Sequence, residues 1–141
     1  MPRVLIAALL LCIFALTARA DDLSSVDRAQ FQAIIGDQIE AFRADDGEKA
    51  YGFAAPTIHQ IFPTVDVFMS MVRQGYKPVY RPQKFSFGET GTDPLGRPVQ
   101  HVTIVGPDGL TYEAVYTFER QADGTWRILG CVLLQRPGVN A

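Results

Sequence analysis

Two cysteines, two histidines and one tryptophan are all that 141 residues supply of the side chains most used for metal and redox chemistry. His59 and His101 are far apart in the chain. Neither has a carboxylate or a thiol at a ligand-like spacing, whereas a zinc site takes three or four ligands. The sequence therefore points to no metal and no cofactor. Each histidine reads as a structural or surface residue, with proton transfer left open because imidazole titrates near neutrality. There is no G-x-S-x-G, no H-E-x-x-H and no phosphate loop, so three common enzyme signatures are missing. Internal repeats, coiled-coil heptads and low-complexity tracts are missing too.

Positive charge is also scarce. The first 20 residues hold two of the 13 basic residues, Arg3 and Arg19, and none of the 15 acidic ones. They read as an export signal: a basic start, an apolar run from Val4 to Leu16, and the small-x-small site Ala18-Arg19-Ala20. The run is short for a membrane span, and Leu11 before Cys12 does not suit a lipoprotein box. An uncleaved anchor is the competing reading. Cleavage after Ala20 takes 20 residues from 141 and leaves 121, the size of one domain spanning 21–141. That domain has 11 basic against 15 acidic residues, a net charge of −4. It suits neither nucleic acid nor, after cleavage, a membrane, and it is expected in the periplasm or outside the cell. Cys12 leaves with the leader, so Cys131 is a lone thiol and no internal disulfide is expected.

The strongest local pattern runs from Leu110 to Gln135. Tyr112, Ala114, Tyr116 and Phe118 alternate with Glu113, Val115, Thr117 and Glu119, the period of a strand. A second arm alternates from Trp126 through Ile128, Gly130, Val132 and Leu134, opposite Leu129, Cys131 and Leu133. Ala122-Asp123-Gly124 joins the arms as a tight turn. A two-residue loop would set Phe118 against Leu129. A three-residue loop with Gly124 left-handed would set Phe118 against Ile128 and Glu119 against Arg127. The second is preferred, because it gathers the aromatic side chains and Val132 and Leu134 on one face.

Before the hairpin come helices. Phe31, Ile34, Ile35, Ile39 and Phe42 form a helical stripe with Gln38 near its middle. Ser24 or Ser25 caps its start, and Gly47 is the expected break at its end. Pro56 starts a short helix, and Thr64 caps another that runs to Gly75 with Val65, Phe68, Met69 and Val72 inward. Pro78 and Pro82 predict an irregular, stiff connector over GYKPVYRP. Phe85 and Phe87 mark a first strand, Glu89 to Pro98 a loop, Gln100 to Val105 a second strand, and Gly106 to Gly109 a turn. The tail after Arg136 is expected to be mobile.

Helices followed by hairpin-linked strands predict an α+β domain, with N-terminal helices on one face of a curved, mainly antiparallel four-stranded sheet. That order resembles the nuclear transport factor 2-like superfamily, also called SnoaL-like or cystatin-like. The resemblance implies a helical layer over a bent sheet, forming a cone with an internal pocket. More narrowly, FRADDGEKAYGFAAP, FMSMVRQGYKPVYRP and WRILGCVL resemble an exported bacterial family, the domain of unknown function 4864. Neither resemblance implies one activity, since the superfamily hosts isomerases, dehydratases, dioxygenase subunits and pure binders.

Candidate ligand-binding residues are Gln38, Arg73, Tyr76, Tyr80, Arg81, Tyr116 and Trp126. Gln38 is a polar side chain in an apolar stripe, and it could equally serve a buried backbone group. Arg73, Tyr76, Tyr80 and Arg81 cluster about the connector and could line a pocket mouth, or simply pack and solvate the helical layer. Tyr116 and Trp126 would form an apolar floor, with entry between the first helix and the connector. Cys131 reads as a small buried hydrophobe, with disulfide or redox roles as alternatives. Three functions compete. The first is binding of a small apolar or aromatic ligand without catalysis. The second is an interaction or homodimer module using the outer sheet face at Leu129 and Leu133. The third is an isomerase- or dehydratase-like enzyme, which needs an inward carboxylate base.

Overall fold

Ser24 and Asp27 exchange hydrogen bonds in a capping box, each side chain accepting from the other's backbone N–H at 3.0–3.2 Å. This satisfies donors that a helix start leaves open, and α1 follows over Ser25–Arg43. The computed structural model describes residues 23–136. The leader, its cleavage site and the tail beyond Arg136 lie outside the described residues. Phe31, Ile35, Gln38, Ile39 and Phe42 are buried on α1, in keeping with the helical stripe.

Gly47 does not end this helix. Asp45 takes the left-handed φ of 52° after the C-cap Ala44, and Asp46 caps a new helix, α2, Gly47–Gly52. Gly47 answers to crowding instead. A Cβ there would lie 2.8 Å from Val65 Cγ1 and 2.9 Å from Met69 Cγ. Pro56 opens α3 (Pro56–Ile61), and Thr64 caps α4 (Val65–Gly75), whose buried residues are Phe68, Met69 and Val72. The connector is more regular than its prolines suggest, because Lys77–Tyr80 forms a single helical turn, α5. Pro78 lies in the first turn, where its missing N–H has no intrahelical partner to lose.

The strands are β1 (Lys84–Thr92), β2 (Pro98–Val105), β3 (Thr111–Arg120) and β4 (Trp126–Gln135). They form one open antiparallel sheet in the order β1-β2-β3-β4. Half of the expected loop from Glu89 is strand, since Thr90 to Thr92 pair with Gln100 to Pro98. Only the turn from Asp93 to Arg97 remains, held by an Asp93 carboxylate that accepts from the N–H groups of Leu95 and Arg97. A ladder irregularity between Phe87 and Thr90 makes this possible. The buried Gln100 amide serves it, donating to the Gly88 carbonyl at 3.0 Å.

The β3–β4 turn takes the three-residue form, with Gly124 at φ 84°, Phe118 opposite Ile128 and Glu119 opposite Arg127. The alternation then breaks. Thr117 pairs with Gly130, so Leu129 is an extra residue, a β-bulge. Beyond it Tyr116 faces Cys131 and Ala114 faces Leu133. The expected faces are thereby exchanged: Cys131 and Leu133 pack against the core, while Val132 and Leu134 are 57 % and 53 % exposed.

The helices cover one face of the sheet, which makes the domain α+β. Phe31, Ile35, Ile39 and Phe42 meet Val102, Ile104, Ala114, Tyr116 and Phe118 in a single core. No helix among the described residues is long and apolar enough to cross a membrane.

Candidate functional site

Toward the β4 edge the helical layer and the sheet do not close on each other. Ile58 of α3, Phe62 at its C-cap, and Met71 and Val72 of α4 stand over a floor of Tyr116, Ile128 and Cys131, around a cavity of about 380 Å³. That lies within the range of roughly 300–1,000 Å³ usual for small-molecule sites. Ile58, Phe62 and Met71 are half-buried and Val132 is exposed, so the mouth lies between these helices and the edge strand. The seam between α1 and the connector is closed instead. Arg81 donates to the Phe42 carbonyl and to Asp45 across it, and Tyr80 donates to Asp45.

Three of the candidate residues come together in the cavity wall: Gln38, Tyr76 and Tyr116. The stripe of α1 turns Gln38 inward, and its amide donates to the Ala50 carbonyl at 3.1 Å, tying α1 to α2. Tyr76, at the junction of α4 and α5, donates its hydroxyl to the Cys131 carbonyl at 2.8 Å. Tyr116 is fully buried, and its hydroxyl has no hydrogen-bond partner among the described residues. The Cys131 thiol adjoins it, and sulfur is only a weak acceptor.

The wall is electrically neutral. It contains no Asp, Glu, Lys, Arg or His. Burial, reinforced by the Cys131 thiol and Tyr76, raises the Tyr116 phenol well above its ordinary range. Burial raises Tyr76 as well. Burial also pushes the Cys131 thiol up to about 12, with Tyr116 offsetting part of the effect. The Cys131 residue as a whole is half-buried and packs against the core from the edge strand. A thiol held protonated is a poor nucleophile.

The other candidates lie elsewhere. Arg73, Tyr80 and Arg81 form an outer cluster with Asp45: Arg81 bonds the carboxylate at 3.0 Å and lies 3.9 Å over the Tyr80 ring, with Arg73 5.9 Å from the same ring. This cluster fastens the end of α1 to α5. Trp126 sits at the far end of the sheet. Its indole N–H donates to Asp27 at 3.2 Å, and its ring meets Phe31 edge-on at 5.0 Å. His59 stacks on Tyr51 at 3.8 Å, and His101 pairs with Glu113 at 2.6 Å on the outer face. Among the described residues no group of three or more His, Cys, Asp or Glu could hold a metal ion.

Ile58, Phe62, Met71 and Cys131 were not among the candidates. Simple alternation turns Cys131 outward, and only the bulge brings it inside. Gly130, in a strand otherwise of large side chains, is the one local sign of it.

Residues 24–141 match the family model described as a domain of unknown function, DUF4864. No curated protein and no solved structure matches the chain. Since the match takes in the helical layer and the whole sheet, the chain belongs to the DUF4864 family of domains of unknown function.

Proposed function

We propose that this is an exported binding domain that holds a small, uncharged apolar or aromatic ligand between its helices and its sheet, without catalysis. The observation that carries this reading is the cavity of about 380 Å³ with a wall free of acidic, basic and imidazole side chains. Apolar surface left open to water is costly at roughly 25 cal/mol per Å², and an apolar ligand recovers it. An isomerase- or dehydratase-like reaction would need a carboxylate base in that wall. The nuclear transport factor 2-like, cystatin-like cone belongs to the same reading, supported by the order of helices before an antiparallel meander. So do cleavage after Ala20 and a periplasmic or secreted location, which rest on the tripartite leader.

Native mass spectrometry of the protein purified from the periplasm of its own host tests both parts. The expected result is a polypeptide beginning at Asp21 with a small molecule that is released on denaturation and missing from Ile58→Trp, whose indole would fill the cavity. A bare mass in both proteins would overturn the ligand reading, and a mass that retains Met1 to Ala20 would overturn cleavage.

A second reading, an interaction or homodimer surface on the outer sheet face, has a specific support. Val132 and Leu134 are exposed there, and Val132 lies opposite Val115. Sedimentation should then show self-association that Val132→Lys abolishes. A monomer at all concentrations would remove the homodimer.

A further inference from the structure

Tyr116 is 1 % exposed, lines the cavity, and has a hydroxyl without a hydrogen-bond partner among the described residues. Unpaired buried hydroxyls are few in folded proteins, and each asks for an explanation. Of the neighbouring polar side chains, Gln38 donates to Ala50 and Tyr76 donates to Cys131, and the Cys131 thiol beside the hydroxyl is only a weak acceptor. Resting on the binding reading above, we infer that the ligand is a neutral apolar molecule with a single hydroxyl or carbonyl oxygen, and that this oxygen accepts a hydrogen bond from the Tyr116 hydroxyl.

The wall argues for each part of that description. A carboxylate, phosphate or ammonium group would lose its hydration with no opposite charge to meet it. A sugar or other polyol would bring several hydroxyls to a wall with few polar groups, and most of them would be buried unpaired. A pure hydrocarbon would fill the space and leave Tyr116 as it is. One neutral oxygen on an apolar frame satisfies both the hydroxyl and the surrounding side chains.

Calorimetric titration of the purified protein and of Tyr116→Phe with benzyl alcohol, ethylbenzene and benzoate at neutral pH tests the inference. Tyr116→Phe should weaken benzyl alcohol by about tenfold, the worth of one hydrogen bond. Ethylbenzene should bind the variant as well as the parent or better, and benzoate should bind neither. Failure of both neutral probes to bind the parent would remove the cavity reading itself. Binding of both, with the alcohol indifferent to Tyr116→Phe, would leave that reading standing and overturn this one. Benzoate binding as tightly as the alcohol would also overturn it. Thermal melting checks the variant: a lower melting temperature than the parent would mean that the hydroxyl is already bonded within the protein, which defeats the inference.

Discussion

The Tyr76 hydroxyl donates to the Cys131 carbonyl at 2.8 Å, joining residues 55 positions apart. β4 is an edge strand, so that carbonyl has no strand neighbour on its outer side. Nearer the hairpin turn the same edge is served by backbone, where Ile128 exchanges bonds with Phe53 and Ala55 at 2.8 Å. Between them these contacts hold the edge strand against the helical layer on both sides of the cavity.

Tyr76→Phe should cost about 1 kcal/mol in urea unfolding, the net worth of a part-buried hydrogen bond. Hydrogen exchange should quicken along β4 beyond the bulge. Exchange that stays at parent rates would mean that the bond does not hold the edge.

Tyr116→Phe should behave in the opposite way. It removes an unpaired buried hydroxyl and keeps the ring, so the ligand-free protein should gain about 1 kcal/mol. Tyr116→Ala empties a core position and should lose roughly 3–5 kcal/mol. A loss in the phenylalanine variant would show that the hydroxyl has an internal partner.

The glycines of the helical layer separate two effects. Gly36 lies inside α1, and a Cβ there meets nothing within 4 Å, so Gly36→Ala should gain about 0.5–1 kcal/mol from backbone entropy alone. Gly47→Ala drives a methyl toward Val65 and Met69 and should lose roughly 1–3 kcal/mol. Equal melting temperatures for the two variants would refute the crowding at Gly47.

Acid should weaken the fold through specific carboxylates. Burial alone would raise Asp27, but hydrogen bonds from Ser24 and Trp126 and the charge of Arg120 bring it below its ordinary 3.8. The His101 contact, then Arg136, draws Glu113 below 4.5. Groups depressed on folding stabilise the native state fully above their unfolded values and lose that contribution as pH falls through the folded ones. Melting temperature should therefore hold from neutrality to about pH 5 and then decline. Asp27→Asn should start lower and decline less steeply; an equally steep decline would acquit Asp27.

Cys131 should resist thiol reagents at pH 8 in the native protein and react at once in urea, because its folded value is about 12 against an ordinary 9.0. Ligand in the cavity should slow the native reaction further. Rapid native labelling would contradict an enclosed sulfur.

Much of this architecture is legible in the residues. Local chemistry announces itself: Ser24 and Thr64 as caps, Pro56 as a helix start, Gly124 in its turn. Each depends on neighbours a few positions away. What alternation misreads is decided at long range. Leu129 looks like any strand residue, and the Phe87–Thr90 irregularity hides behind a Gly- and Thr-rich segment that resembles a loop. The cavity wall inherits that difficulty. Gln38, Tyr76 and Tyr116 stand out as polar or aromatic residues in telling places, whereas Arg73, Tyr80 and Arg81 are near in sequence but turn to Asp45 instead. No short-range pattern reports that α3 lies over the β4 edge.

The unpaired Leu129 also gives β4 a property that no substitution table would reveal. Side chains along the rest of the strand can be exchanged one at a time, and each change stays local. Removing Leu129 itself would only straighten the ladder, leaving Cys131 opposite Tyr116 and still inward, whereas one added residue between Gly130 and Cys131 would turn over everything after it, sending Cys131 and Leu133 to solvent and forcing Val132 and Leu134 inward. Insertions should therefore be tolerated in the Asp93–Arg97 turn, where residues 94–97 are exposed, and a single added residue should be ruinous between Gly130 and Cys131. Anyone grafting this hairpin onto another sheet must keep Cys131 opposite Tyr116 before conserving the identity of the residues between Ile128 and Cys131.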